Sequence, residues 1–243
     1  MTSPSEVHIQ GTGTDPVVRA RAAVRRIQQR LSDRLADLTH AASSGRTTDE
    51  PSGRALAEFC DGELRRHLAA GVEALHAPAA GAARTGLLVR ALHTTAEDLV
   101  RRIDAIASGE EEDVPAAAGG LQAVLAVHFS MEQDVLLPAL AELPGADLPG
   151  LVSDLGTLLE GGELERPAVV DVREIPHGKR HPTIFARYAR LAPGEAFTLV
   201  NNHDPKPLHR EFEAAHPGGC SWDYVESGPE RWLVRIGKAN AGV

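Results

Sequence analysis

The sequence predicts an α + α/β protein, an N-terminal four-helix bundle followed by a two-layer sandwich of order β-α-β-α-β-β. Three observations predict it. Apolar residues recur at spacings of three and four over roughly the first 160 positions, the period of an amphipathic helix. After the break Gly161-Gly162-Glu163-Leu164-Glu165-Arg166-Pro167 the period shortens to that of strands separated by two short helical stretches. Hydrophobic residues make up 42% of the chain and aromatic residues only 4%, with Ala and Leu dominant, which favours helix–helix packing.

The first sixteen residues are polar and rich in Gly, Ser and Thr, and read as a disordered tail. From Val17 a first helix carries Val24, Ile27, Leu31, Leu35 and Leu38, and the Ser/Thr/Gly-rich stretch from Ala42 to Gly53 ends it. A second helix runs from about Arg54 to His76 with the stripe Leu56, Phe59, Cys60, Leu64, Leu68 and Leu75. Pro78, Gly81 and Gly86 mark a loop. A third helix holds Leu88, Leu92, Ala96, Leu99, Ile103 and Ile106, and stops at Ser108-Gly109 and an acidic run. A fourth carries Leu121, Val124, Leu125, Val135, Leu136 and Leu140, and a short fifth covers Leu151 to Leu159. Residues 161–167 read as a linker. Beyond it, strands are expected at Ala168–Val172, Ala196–Val200, Ser221–Glu226 and Arg231–Ile236, with helices opening at His181-Pro182 and Pro207.

Composition excludes some functions. The net charge is -9, so neither a phosphate backbone nor an anionic membrane is an expected partner. The basic cluster from Arg19 to Arg34 reads as a solvated helix face. No apolar run reads as a bilayer span, and the N-terminus lacks a signal-peptide pattern. Cys60 and Cys220 are too far apart in sequence for a CxxC site and make no disulfide framework. A reducing cytoplasm is the expected compartment. No haem or nucleotide motif is present.

The chemistry concentrates on the fourth helix. His128 and Glu132 are four apart and share the apolar face with Leu121, Val124, Leu125, Val135 and Leu136. A carboxylate turned into such a face must be paired or bound to a metal. Glu63 and His67 repeat the spacing on the second helix, with His67 on the apolar stripe, and His93 and Glu97 repeat it near the edge of the third. His40 lies past the first stripe. The competing reading makes His67, His128 and His93 hydrogen-bonded core residues, Glu63 and Glu97 solvated, and Cys60 a small buried hydrophobe.

With FCDGELRRH on the second helix and AVHFSMEQDVLLPAL on the fourth, residues 17–160 resemble a bacterial hemerythrin-like (HHE) domain. That family places one His on the first helix, HxxxE on the second, one His on the third and HxxxE on the fourth, around two oxygen-bridged irons. By this resemblance His128 and Glu132 are metal ligands, and His67 matches the second-helix His. The second-helix Glu would fall at Gly71, the third-helix His near Ala96 with His93 one turn away, and the first-helix ligand near Ile27 or Gln28. With an incomplete di-iron set, this resemblance implies iron in a mononuclear or dinuclear centre, and a single iron or zinc on His67, His128 and Glu132, with or without His93, is chemically reasonable. The alternative is a bundle that kept its shape without metal.

In the C-terminal part, polar residues gather near the predicted strand ends. Arg173 comes just after the first strand, His181 starts the first helix, and Asn201-Asn202-His203-Asp204 comes just after the second strand. Arg173, His181, His203 and Asp204 are the candidate ligand-binding residues, His203 and Asp204 suited to a metal or a proton and Arg173 to an anion. Solvated loop positions are the competing reading. Trp222, Tyr224 and Trp232 alternate with polar residues, as in hairpin packing. The marks RHPxIF, PGExFxLVNxHDPxPL and GPExWxVRI over residues 168–238 resemble an uncharacterised domain family often fused to hemerythrin-like domains and distantly related to the TusA/SirA sulfur carriers. Those carriers hold a Cys before Pro at the start of the first helix. His181 stands there here, so persulfide transfer by that route is not expected.

The expected function is therefore a metal- or redox-linked protein, the bundle responding to oxygen or nitric oxide through non-haem iron and the α/β part reading a small molecule or protein partner. Two alternatives stand beside it, a non-haem iron oxidase of secondary metabolism and a metal-free interaction module.

Overall fold

The computed structural model describes residues 15–43, 51–109 and 113–239. Among the described residues the regular elements up to residue 159 are all helical, and a four-stranded mixed sheet with two helices comes after. Of the expected tail, only Asp15 and Pro16 are described, and they already belong to the first helix. The Asp15 carboxylate accepts the Val17 N–H at 2.8 Å, and Pro16 takes the first helical position, where its missing N–H costs nothing. Helix α1 is Pro16–Ala42.

The second helix, α2, is longer than expected. It runs without a break over residues 51–80, because two π-helical turns, Cys60–Leu64 and Val72–His76, keep the backbone bonded through Ala77-Pro78. Helix α3 is Gly86–Ser108, closed by Gly109 at φ 73°, a conformation suited to glycine. Helix α4, Val114–Glu142, contains a third π turn at Glu132–Leu136. Helix α5 is Leu148–Leu159. Helix α1 packs on α2, α4 and α5, and α3 packs on α2 and α4. By length and composition alone α4 could cross a membrane, which corrects the expectation that no segment could. Here it is turned inward with Leu121, Leu125 and Phe129 buried, and it carries a buried carboxylate and imidazole.

The sheet has the order β1-β2-β4-β3, with β1 Val169–Asp171, β2 Ala196–Asn201, β3 Cys220–Ser227 and β4 Trp232–Lys238. β1 and β2 are parallel, and the other two pairings are antiparallel. Helix α6, Arg180–Ala189, enters through a 3-10 turn at His177–Lys179, and α7 is Lys206–Ala215. The register places Val170, Leu199, Val234, Phe197, Ile236 and Trp222 on one face. Phe185 of α6 and Phe212 of α7 stack at 4.2 Å over that face. Tyr224 meets Trp232 edge-on across the β3–β4 hairpin, the packing expected of them, whereas Trp222 stacks on His209 of α7 at 4.5 Å.

The two halves share one apolar cluster. It runs from Ala74, Ala79 and Leu92 of the helical half through Phe185 and Tyr188 to Phe197 and Ile236 of the sheet. Residues 161–167 are therefore tied down rather than a free linker. Leu164 is buried, the Glu165 carbonyl accepts from Arg190, and the Pro167 carbonyl accepts from Arg187. Arg190 also reaches Asp154 of α5 at 3.1 Å. Bare backbone makes the fit possible. A Cβ on Gly81 would overlap the Phe185 ring, and one on Gly145, at φ +83°, would overlap the Gly178 carbonyl.

Phe185 is itself held by Phe212 and cannot swing away. Gly81→Ala is expected to lower the unfolding free energy by about 1–3 kcal/mol, although Gly81 has an ordinary helical φ of -81°. Chemical denaturation checks this, and a neutral result would mean the junction is looser than described.

Candidate metal centre

Helices α1 and α4 each turn polar at one level of their apolar stripes. On α1, Gln28 lies between Val24 and Leu31; on α4, His128 and Glu132 lie between Leu125 and Leu136. These polar side chains separate two apolar clusters. One is built on Leu35, Leu56, Leu99, Ile103 and Leu121, and the other on Val24, Leu75, Leu92 and Leu136 together with the α/β half. The layer is sealed: Gln28, His67, His76, His128 and Glu132 are all at most 3% exposed.

Glu132 is its centre. Oε2 accepts from Gln28 Nε2 at 2.5 Å, and Gln28 is held in turn by Gln133 at 2.7 Å. Oε1 faces the imidazoles, 2.6 Å from His76 Nε2 and 3.5 Å from His128 Nε2. It also lies against bare backbone, since a Cβ on Gly71 would come within 3.4 Å of it. Burial works to raise the carboxyl pKa, but the hydrogen bonds from His128 and His76 hold it well below the usual carboxylate range. The buried acid is therefore charged.

The imidazoles are oriented from behind. Thr95 Oγ1 lies 2.9 Å from the Leu92 carbonyl and 2.7 Å from His128 Nδ1. A hydroxyl has one proton. The assignment satisfying both contacts has Thr95 donating to Leu92 and His128 Nδ1–H donating to Thr95. Nε2 then faces Glu132, donating to it while it carries a proton and presenting a lone pair once that proton is displaced, the state a metal ligand requires. His76 Nδ1, by contrast, has no hydrogen-bond partner among the described residues.

The ligand atoms of His76, His128 and Glu132 lie within 4.8 Å of one another. The structure thus joins the expected pair, His128 and Glu132, to a histidine whose place in the sequence marks only the expected end of a helix. His67 is buried in the same layer, edge-on to Phe129 at 5.4 Å, but it is not in this set, and its Nδ1 has no partner among the described residues. His93 is half-buried, its ring 5.7 Å from that of His76. From the other half, His216 and Lys238 come within electrostatic range of His93. His40, Glu63 and Glu97 are exposed, and Cys60 is buried with its thiol pushed up to about 12, chiefly by burial.

The π turns explain why His76 escapes periodicity. Nine residues are about 2.5 turns of an α-helix, which puts His76 on the side opposite His67. In the Val72–His76 turn the Ala77 N–H reaches back five residues to the Val72 carbonyl. The extra residue rotates the end of the helix back toward the core layer. The third turn begins at Glu132 itself, where the Leu137 N–H bonds the Glu132 carbonyl. The legible sign was His76-Ala77-Pro78, an imidazole just before a Pro in a helix that did not stop.

In the α/β half the four expected residues separate. His181 and His203 line a cavity of about 80 Å³ at the carboxyl ends of β1 and β2, with His177, Arg180 and Asn201. His181 Nδ1 is 2.8 Å from Glu211, and His203 Nδ1 is 2.8 Å from the Asn202 side chain. Arg173 and Asp204 are engaged elsewhere. Arg173 grips Asp171 at 2.6 and 2.9 Å, and Asp204 bonds the Tyr224 hydroxyl at 2.8 Å and Lys206 at 3.0 Å.

Residues 169–238 match a family described as an uncharacterised conserved protein, DUF2249. The match begins at β1 and ends at β4, so it covers the α/β half and none of α1–α5. No curated protein and no solved structure matches the chain.

Burial lowers the pKa of His67, His93 and His216, each to about 4. An unfolded imidazole titrates near 6.5, so the unfolded chain takes up protons first. The stability these groups contribute is present above about pH 6.5 and is lost as pH falls toward 4. His67→Phe removes one of them. The fall in unfolding free energy from pH 7 to pH 5 is expected to shrink by about 1–2 kcal/mol relative to the parent. An unchanged pH dependence of denaturation would show that His67 is not held neutral.

Proposed function

We propose that the helical half is a hemerythrin-like four-helix bundle with a reduced ligand set, and that it holds one non-haem transition-metal ion on His76, His128 and Glu132. The observation that carries this reading is the sealed approach of two imidazoles and an ionised carboxylate within 4.8 Å. Two histidines and one carboxylate are the donors that non-haem Fe(II) sites use. The supports suit the task, since Gln28 fixes one carboxylate oxygen and Thr95 fixes the His128 ring.

A second ion is not supported. The position that would supply the second carboxylate is Gly71, and the first- and third-helix positions hold Gln28 and Ala96, neither of them an imidazole. Gln28 serves Glu132 instead. His76, His128 and Glu132 would hold a single Fe(II), which would supply binding chemistry for a small ligand such as oxygen or nitric oxide. His67 and His93 flank the set as neutral imidazoles able to hold or pass a proton. On this reading the protein is a metal-linked sensor or oxidase, and its α/β half lies close enough to His93 to register the state of the centre.

One observation favours a metal-free polar core instead. Both Glu132 oxygens already have partners, Gln28 on one and His76 on the other. The two readings part on stoichiometry and on mutation. Metal-depleted protein titrated with Fe(II) under anaerobic conditions, or with Zn(II), is expected to bind one ion per chain and to melt several degrees higher when loaded. His76→Ala and Glu132→Gln are each expected to weaken binding by at least tenfold to a hundredfold. Absence of binding and of any thermal shift would sink the metal reading. The metal-free reading requires a variant that replaces the whole set, Gln28, His76, His128 and Glu132, by apolar residues of similar volume to be neutral or stabilising by about 1–4 kcal/mol, since Gln28 and His76 would otherwise lose their partner.

A further inference from the structure

The junction between the halves encloses a cleft of about 560 Å³, walled by α5 and the end of α2 on one side and by β1 and α6 on the other. That size suits a small organic ligand, and domain junctions are common places for one. One group in its wall is unexplained by the fold. Arg187 is 6% exposed, yet its guanidinium is only partly used. Nε donates to the Pro167 carbonyl at 2.7 Å and the plane lies over the Phe197 ring at 5.4 Å, while Nη1 has no hydrogen-bond partner among the described residues. Among the described residues no carboxylate lies within ion-pair distance of it; Glu195 attracts it only from farther off while Arg166 and Arg190 repel it, and a buried guanidinium so poorly balanced is costly to keep.

The other charges of the cleft define what could complete it. Arg190 is committed to Asp154 and Asp171 to Arg173. Lys179 and Glu174 add one charge of each sign to the lining, and Asp147 adds a further negative one. A dianion would meet these acids, whereas a single negative charge delivered to Arg187 would not need to. Between the charges the walls are apolar, with Pro78, Leu151, Ile175 and Ala186. We propose that this cleft binds a monocarboxylate with a small apolar body, its carboxylate against Arg187 and its body between the two halves. Because both halves line the cleft, the ligand would fasten them together. The site is independent of the metal centre and uses none of its residues.

Hexanoate and the neutral isostere hexanamide test this on the full-length, metal-depleted chain, titrated by calorimetry and by methyl NMR. Hexanoate is expected to bind one per chain, about tenfold or more tighter than hexanamide, and to shift the methyl signals of Ala186 and Ile175. Arg187→Met is expected to bring hexanoate down to the affinity of hexanamide. If that variant does not fold, the comparison of the two probes and the location of the shifts in the parent protein decide alone. Equal affinity for the two probes, or shifts confined to other methyls, would overturn the proposal.

Discussion

Glu132 is a carboxylate held in its charged form between the two apolar clusters of the helical half, and the surrounding polar layer is arranged to make that tolerable. Desolvating such a group without partners costs several kcal/mol, comparable to the net stability of a whole domain. Gln28, itself held by Gln133, holds one of its oxygens, His76 and His128 face the other, and Gly71 leaves room for it. Thr95 then fixes the ring of His128. The apolar clusters on either side exclude water, so the electrostatic interactions inside the layer are strong, and so is the penalty for losing any one of them.

The same geometry ties the site to the other half of the molecule. The cluster that closes the layer on one side continues through Leu75 and Leu92 into Phe185, Tyr188 and the sheet. Gly81 and Gly145 let ring and backbone approach where any side chain would block them. The α/β half thus forms part of the wall behind His76 and His93, and a change in the charge of the layer would be felt at His216 and Lys238. Such coupling is a packing and electrostatic matter and needs no moving hinge.

Much of this could be read from residue order. The stripes Leu31–Leu35, Leu99–Ile103–Ile106 and Leu121–Leu125 are the buried faces, because a regular α-helix turns every third or fourth residue inward. The four strands and two helices of the C-terminal half lie within a residue or two of their expected limits, since alternation and the Pro and Gly punctuation are local properties. His128 with Glu132 was legible for the same reason. Arg173 and Asp204 were not, as whether a charged side chain is free or paired depends on neighbours such as Asp171 and Tyr224.

Sequence alone determined the division into a helical and an α/β half, the apolar faces, and the presence of an acid and an imidazole on the buried side of the fourth long helix. Tertiary structure alone decided which imidazole completes the set. Two π turns in α2 carry the helix past its expected end and rotate His76 inward, while His67, on the regular stripe, packs against Phe129 instead. A periodic pattern assumes a constant angle per residue. One inserted residue in a helical turn breaks that assumption, because every position after it is rotated relative to the stripe before it.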